Sequence, residues 1–251
     1  MKDRTLRTLA LIIKRRDFGE ADRLLTVLTP SHGKMDVIAK GARKPNSTKT
    51  GHVELFTRAE LLIHRGRELH IATQAVMQES YLPLRENLQR GAYASYAAEL
   101  LDRFTLEGDD ELGGLYALLD AALKHISFDD DPRLAVRYYE LHLLDQVGFR
   151  PELQECVFTH EPLQPRDQFF SVAEGGVVSP EAARHTTALT PITVNTLKLL
   201  RHIQRSPYEQ VKTLTISPTI HAEVERILLG YITYLLERQL QSVEFIRRIR
   251  N

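Results

Sequence analysis

The chain has 251 residues, with 33 Lys and Arg against 33 Asp and Glu, and is 43% hydrophobic. That composition fits an ordinary globular protein of one large or two to three small domains. It excludes a helical membrane span, because no run of about eighteen apolar residues occurs. The single cysteine, Cys156, excludes an internal disulfide framework and fits a reducing, cytoplasmic setting.

The apolar run near the N-terminus is only about six residues long, too short for a signal-peptide core. Although the net charge is zero, the charges are unevenly spread. Residues 1–80 hold 15 basic and 9 acidic residues, a net of +6, and the other 171 hold 18 and 24, a net of −6. A basic first third is a candidate surface for polyanions.

The first eighty residues predict short strands at Thr8–Ile13, Leu24–Leu28, Met35–Ala39, Ala59–Ile63 and Leu69–Ala75. Turn signals at Phe18-Gly19, Pro30–Gly33 and Arg65–Arg67 separate them, and about five strands with no long helix predict a small antiparallel barrel. Alternation along these strands is imperfect, so the expectation rests on strand count and spacing. Between the third and fourth strands runs VIAKGARKPNSTKTGHV, with Lys40, Arg43, Lys44 and Lys49 and no acid. Such a stretch reads as a loop that takes no part in a core, with Lys49 mobile and Lys40 fixed by its strand.

From Leu82 the period changes. Leu88, Ala92, Tyr96, Leu100 and Phe104, then Leu112, Leu115, Leu119, Leu123 and Ile126, then Leu134, Tyr138, Leu141, Leu144 and Val147 mark three amphipathic helices. Asp129–Asp131 and Pro132 suit the start of the third, and Gly148 its end. Residues 149–190 lose periodicity and predict an irregular insert with a hairpin at Phe169–Val178. Helices resume at Val194–Ile203 and again at Val224–Leu235, before a basic tail, FIRRIRN. The expected divisions are 1–80, 81–148, 149–190 and 191–251, in an α+β multidomain chain.

The barrel would present Lys14, Arg15, Arg16, Arg23, Lys34, Lys40, Arg43, Lys44 and Lys49 to nucleic acid. Lysine and arginine neutralise phosphates and release counterions, which gives affinity without sequence choice, and glycine N–H groups and hydroxyls add phosphate hydrogen bonds. A solvated loop is the alternative. Phe18 and Phe56 are the only aromatic residues in this third, too few for a stacking platform. A groove that holds mostly backbone, on single or double strands, is expected.

Residues 9–47, with RDFGEADRLLTVLT, then GK, then VIAKGARK and Ser47, resemble the opening of the RecO family of recombination mediators and DNA-repair proteins. The likeness continues at ELFTRAELLI, LLDQVGFRPELQEC and FFSVAEGGVVS. It implies an N-terminal OB-fold, a helical domain and a small zinc-ribbon-like insert. It implies binding of single- and double-stranded DNA, annealing of complementary strands, and loading of RecA, with the partner RecR, onto DNA coated by single-strand-binding protein. No enzymatic activity is implied, and a cytoplasmic, nucleoid-associated protein is expected.

Zinc-bearing members carry two CxxC pairs in the insert. Here the matching positions are Cys156, Thr159, Ser179 and Ala182, so one thiolate of four remains. His160 and His185 are possible substitutes. The expectation is no metal, with Val157, Phe158, Phe169, Phe170, Val177 and Val178 packed in its place.

The resemblance also implies a seat on the helical domain for the acidic tail of single-strand-binding protein, and Arg133, Arg137, Tyr138 and Leu141 are the candidates. The alternative is that Arg137 pairs with Glu140 or Asp131, or points to solvent. Two other functions are open to the same residues: a nuclease acting through Glu20, Asp22 and Asp36, and an RNA-binding OB protein. No Walker loop, HExxH or Gly-rich dinucleotide turn supports an enzyme.

Overall fold

The computed structural model describes residues 5–66, 69–108, 112–184, 187–237 and 239–250. Five strands come first: β1 (Thr5–Phe18), β2 (Asp22–Thr29), β3 (Gly33–Ala39), β4 (Arg58–His64) and β5 (His70–Glu79). They close a barrel in the order β1-β2-β3-β5-β4, with β4 returning to β1. All pairs are antiparallel except β3 with β5, where Val37–Ala39 run beside His70–Ala72. This is the OB-fold arrangement.

Every second residue points inward. Ala10 and Ile12, Leu25 and Val27, Met35, Val37 and Ala39, and Ala59, Leu61 and Ile63 form one buried cluster. The alternation is hidden in the sequence because Leu11, Ile13, Leu24, Leu28 and Ile38 of the opposite face are buried too. Helices of the same unit contact β1 and β2 from outside. A strand covered on both faces reads as a continuous apolar run, not as period two.

Two helices pack beside the barrel after the short turn α1 (Pro83–Glu86): α2 (Leu88–Phe104) and α3 (Gly113–Phe128). Asn87 caps α2 by accepting the Arg90 N–H at 3.0 Å. The predicted stripe holds from Ala92 to Leu100, but Leu88 is 60% exposed.

Residues 1–128, joined by 244–251, form one compact unit, and residues 129–243 form a second. Packing therefore groups the chain differently from the breaks in composition at 80, 148 and 190.

The second unit is built on α4 (Pro132–Gln146). Asp131 caps it by accepting the N–H groups of Arg133 and Leu134. Gly148, at φ +84°, takes the left-handed conformation that ends it, which costs glycine least. The insert forms a sheet in the order β7-β6-β8, from β6 (Gln168–Ser171), β7 (Gly176–Val178) and β8 (Leu189–Ile192), with α5 (Pro180–Ala183) between the last two. The hairpin matches the expectation, while β8 is a third strand that the sequence did not disclose. Then come α6 (Val194–Arg205), α7 (Tyr208–Val211) and α8 (Pro218–Leu236), started by caps at Thr193 and Ser217. The basic tail forms α9 (Gln241–Arg250), also unforeseen. Among the described residues, no helix is long and apolar enough to cross a membrane.

Candidate nucleic-acid interface

The stretch between β3 and β4 is an ordered part of the barrel. Ala42 and Val53 are fully buried members of the barrel cluster, which corrects the expectation of a loop outside any core. Its path is fixed against the turn of the β1–β2 hairpin. Asp22 Oδ1 accepts the Gly41 N–H at 2.7 Å, and the Ala21 carbonyl accepts the Arg43 N–H at 2.9 Å. Gly41 sits at φ +68°, so glycine is the residue that lets the chain leave β3 toward that turn. Thr50 Oγ1 donates to the Ala42 carbonyl at 2.7 Å and pins the loop across its own width.

These contacts bring the basic residues of the hairpin and of the loop to one end of the barrel. Arg16, Lys40 and Lys44 are exposed and form no ion pair among the described residues. Arg43 is exposed beside Asp17, with Nη2 at 3.4 Å from its carboxylate, and Nη1 also reaches the carbonyls of Gly19 and Glu20. Lys49 is half-buried and donates to the Lys40 carbonyl at 3.0 Å, which ties it to the loop's own backbone. Arg15 and Arg23 share the carboxylate of Glu54.

Two predicted residues behave otherwise. Lys34 is 8% exposed. Its ammonium donates to the carbonyls of Asp102 (2.9 Å) and Thr105 (2.7 Å) and to Asp102 Oδ1 (3.2 Å). An ammonium has three donors, so none is left for a phosphate. Lys34 binds the carbonyls at the C-terminal end of α2, where a cation is favoured, and its place on the DNA surface is corrected accordingly. Lys14 also pairs with Asp102, at 2.5 Å, though its own side chain stays 55% exposed. Burial raises the Asp102 carboxyl, but the two lysines outweigh it and hold its pKa below the ordinary value.

Phe56, at φ +63°, is 4% exposed and is part of the interior, whereas Phe18 is 39% exposed at the hairpin end. One aromatic face is therefore available beside the cations.

The predicted acidic trio does not converge. Asp22 anchors the loop, Asp36 accepts the Thr26 hydroxyl at 2.7 Å, and Glu20 is exposed in the turn.

In the second unit, half of the predicted peptide seat is buried. Arg137 is 4% and Glu140 0% exposed, and they pair at 2.8 Å, with Glu225 3.9 Å from the same guanidinium. Leu141 is buried as well. Tyr138 lies against His142, with ring centroids 4.0 Å apart, and meets Tyr208 edge-on at 5.0 Å. Arg133, 3.6 Å from Asp131, and Tyr138 are half-exposed. Pairing of Arg137 with Glu140, the alternative weighed from sequence, is what the chain does. The helical period could have shown this: Leu134, Arg137, Leu141 and Leu144 lie on one stripe, so Arg137 occupies a core position.

Among the described residues, the insert gathers no group of three or more His, Cys, Asp or Glu side chains that could hold a metal. The Cys156 sulfur is buried and accepts the Ser179 N–H at 3.4 Å. Burial raises the thiol, but N–H groups of Ser179, Thr159 and Phe158 and the Thr159 hydroxyl bring it down to about 7. Ser179 Oγ is occupied as the cap of α5, accepting the Ala182 N–H, and the Ala182 side chain has no atom that can ligate a metal. His160 is exposed, and His185 lies outside the described residues. One thiolate with such neighbours does not fit a four-thiolate zinc site. Of the expected packing set, Phe170, Val177 and Val178 are buried, with Phe170 edge-on to Tyr231, Val157 and Phe169 are half-buried, and Phe158 is 42% exposed.

Comparison with known proteins agrees with the arrangement of the barrel and helices. Residues 1–81 match the family model described as "Recombination protein O N terminal", and residues 85–244 match "Recombination protein O C terminal". A DNA repair protein RecO of Roseiflexus sp. is 41% identical over all of this chain and 88% of its own length. Relatives of that name from Dehalococcoides mccartyi (34%, 99% of this chain and 98% of the relative) and Desulforamulus reducens (33%, 96% and 93%) are similar throughout. The chain belongs to the RecO family, and with it to DNA repair and recombination.

Proposed function

We propose that this protein is a DNA-binding recombination mediator without catalytic activity of its own. It holds single- and double-stranded DNA by their phosphates at the hairpin end of the barrel and anneals complementary strands. With RecR it helps load RecA onto DNA coated by single-strand-binding protein, in the cytoplasm at the nucleoid. The observation that carries this reading is the exposed group Arg16, Lys40, Arg43 and Lys44, held on ordered backbone at one end of an OB barrel. Annealing requires two polyanions to approach, and fixed positive charge lowers their repulsion. Asp22 is engaged by the Gly41 N–H and Asp36 by the Thr26 hydroxyl, apart from Glu20 in the turn, which supports the reading without a nuclease site.

The test is annealing of complementary strands covered by the cognate single-strand-binding protein, with and without RecR, together with oligonucleotide affinity across a salt series. Affinity should fall steeply with salt, by a log–log slope of about −0.7 per phosphate contact on single strands. A flat salt series, or failure to anneal coated strands, would overturn the reading. Tighter binding of RNA than DNA at matched salt would instead favour an RNA-binding protein.

A further inference from the structure

Glu54 lies in the irregular backbone just before β4, facing the hairpin. Its Oε1 accepts from Arg23 Nη1 at 2.6 Å and its Oε2 from Arg15 Nη1. In the β1–β2 ladder, Leu25 stands opposite Arg15 and Asp17 opposite Arg23, so the two arginines are diagonal neighbours on one face. Diagonal neighbours stand about 7–8 Å apart, and two guanidiniums at that distance repel unless an anion sits between them. Glu54 is that anion.

Its acceptors are not enough for the seat. Each guanidinium has five N–H donors, yet the carboxylate engages one nitrogen on each. Arg23 Nε is buried with no hydrogen-bond partner among the described residues. The site is partly open, with side chains 32% exposed for Arg15, 26% for Glu54 and 15% for Arg23. A phosphate, like a carboxylate, accepts from guanidinium in the bidentate manner, and it brings more oxygens.

We propose that Glu54 is an internal stand-in for a DNA phosphate. In the free protein it keeps Arg15 and Arg23 together as a two-armed anion seat, and a backbone phosphate of DNA takes the seat by displacing the carboxylate. The proposal rests on the DNA-binding reading of the barrel and adds a regulator to it. An internal competitor lowers affinity at the seat and favours release, which suits a protein that hands strands on.

The experiment measures binding of a fluorescent single-stranded oligonucleotide, across salt, by the full chain. Glu54→Gln keeps the size of the side chain and removes its charge. Binding should tighten by about fivefold at fixed salt, the size expected from two partly exposed ion pairs. The salt slope should steepen by about 0.7 for each phosphate gained. Glu60→Gln is the matched control, because it frees Arg7, eight residues back along β1, by removing the same charge; it should leave affinity unchanged. Adding Arg15→Gln to Glu54→Gln should abolish the gain.

Unchanged or weaker binding by Glu54→Gln overturns the proposal, as does an equal gain in Glu60→Gln. If Glu54→Gln does not fold, Glu54→Asp replaces it. That change keeps the charge but is one methylene too short to span both guanidiniums, and it should also tighten binding; weaker binding would overturn the proposal. A wild-type protein whose binding ignores salt is a separate outcome, which sinks the DNA-binding reading itself.

Discussion

The hairpin end of the barrel and the middle of α4 both carry arginines that look, in sequence, like sites for acidic partners. At the hairpin end the charges stand on turns and strand ends that leave the core, so Arg16, Lys40 and Lys44 keep their water. On α4, Arg137 stands on the same stripe as Leu134 and Leu141, and folding takes it inside with Glu140. The difference teaches that a cation is available to a ligand when its backbone, not only its charge, lies outside the apolar period. A buried pair gains little over an apolar one, but removing one partner strands the other charge.

The largest effect that would sharpen this contrast is on stability. Arg137→Ala should destabilise the protein by about 3–5 kcal/mol, because the buried Glu140 loses the guanidinium that balances its charge. Arg137→Met with Glu140→Leu should recover most of it. Thermal unfolding of the variants checks this; an Arg137→Ala protein that melts normally and loses only peptide binding would restore the surface reading.

Lys34→Met comes next. It removes hydrogen bonds from a charged donor to the end of α2 and should cost about 2 kcal/mol in denaturant unfolding. The same variant tests a pH effect. Since Lys14 and Lys34 hold the Asp102 carboxyl below its ordinary value, its contribution is full above that value of 3.8 and is lost as pH falls through the folded one. Lys34→Met should lessen that acid loss, and an unaltered acid limb would count against the clamp.

A change of up to the same size concerns Cys156. Its folded pKa of about 7 lies below the ordinary 9.0, so its stabilisation is full above 9.0 and fades as pH falls toward 7. Unfolding free energy should therefore rise by up to about 2 kcal/mol between about pH 6.5 and about pH 9. Cys156→Ser should flatten that rise, and an unchanged slope would mean that the surrounding N–H groups do not favour the thiolate.

The smallest stability effect belongs to the exposed cations. Lys40→Ala and Lys44→Ala should each shift stability by less than about 0.5 kcal/mol, yet together reduce the salt slope of single-strand binding by about 0.7 per lost contact. A wild-type slope in the double variant would move the DNA path toward Arg16 and Phe18.

The sequence by itself determined the order of pieces: barrel strands, three helical stripes, an irregular insert with its hairpin, and two further helices. Each of these is set by local period and by turn or cap residues, such as Asp131, Pro132 and Gly148, that act on their own neighbours. It also carried the family likeness, and the basic bias of the first third. What it left undecided depended on distant partners. The inward alternation of β1 and β2 was masked because helices cover their outer face. The four residues of β8 had no partner to identify them until β6 lay alongside. Lys34 and Lys40 look alike in sequence, six residues apart in one basic third. Only the arrival of the C-terminal end of α2, some seventy residues away, binds one of them fully and leaves the other in water. Glu54 gave no sign of its position either, since a lone acid in a turn acquires meaning only when the fold sets two arginines from neighbouring strands against its two oxygens.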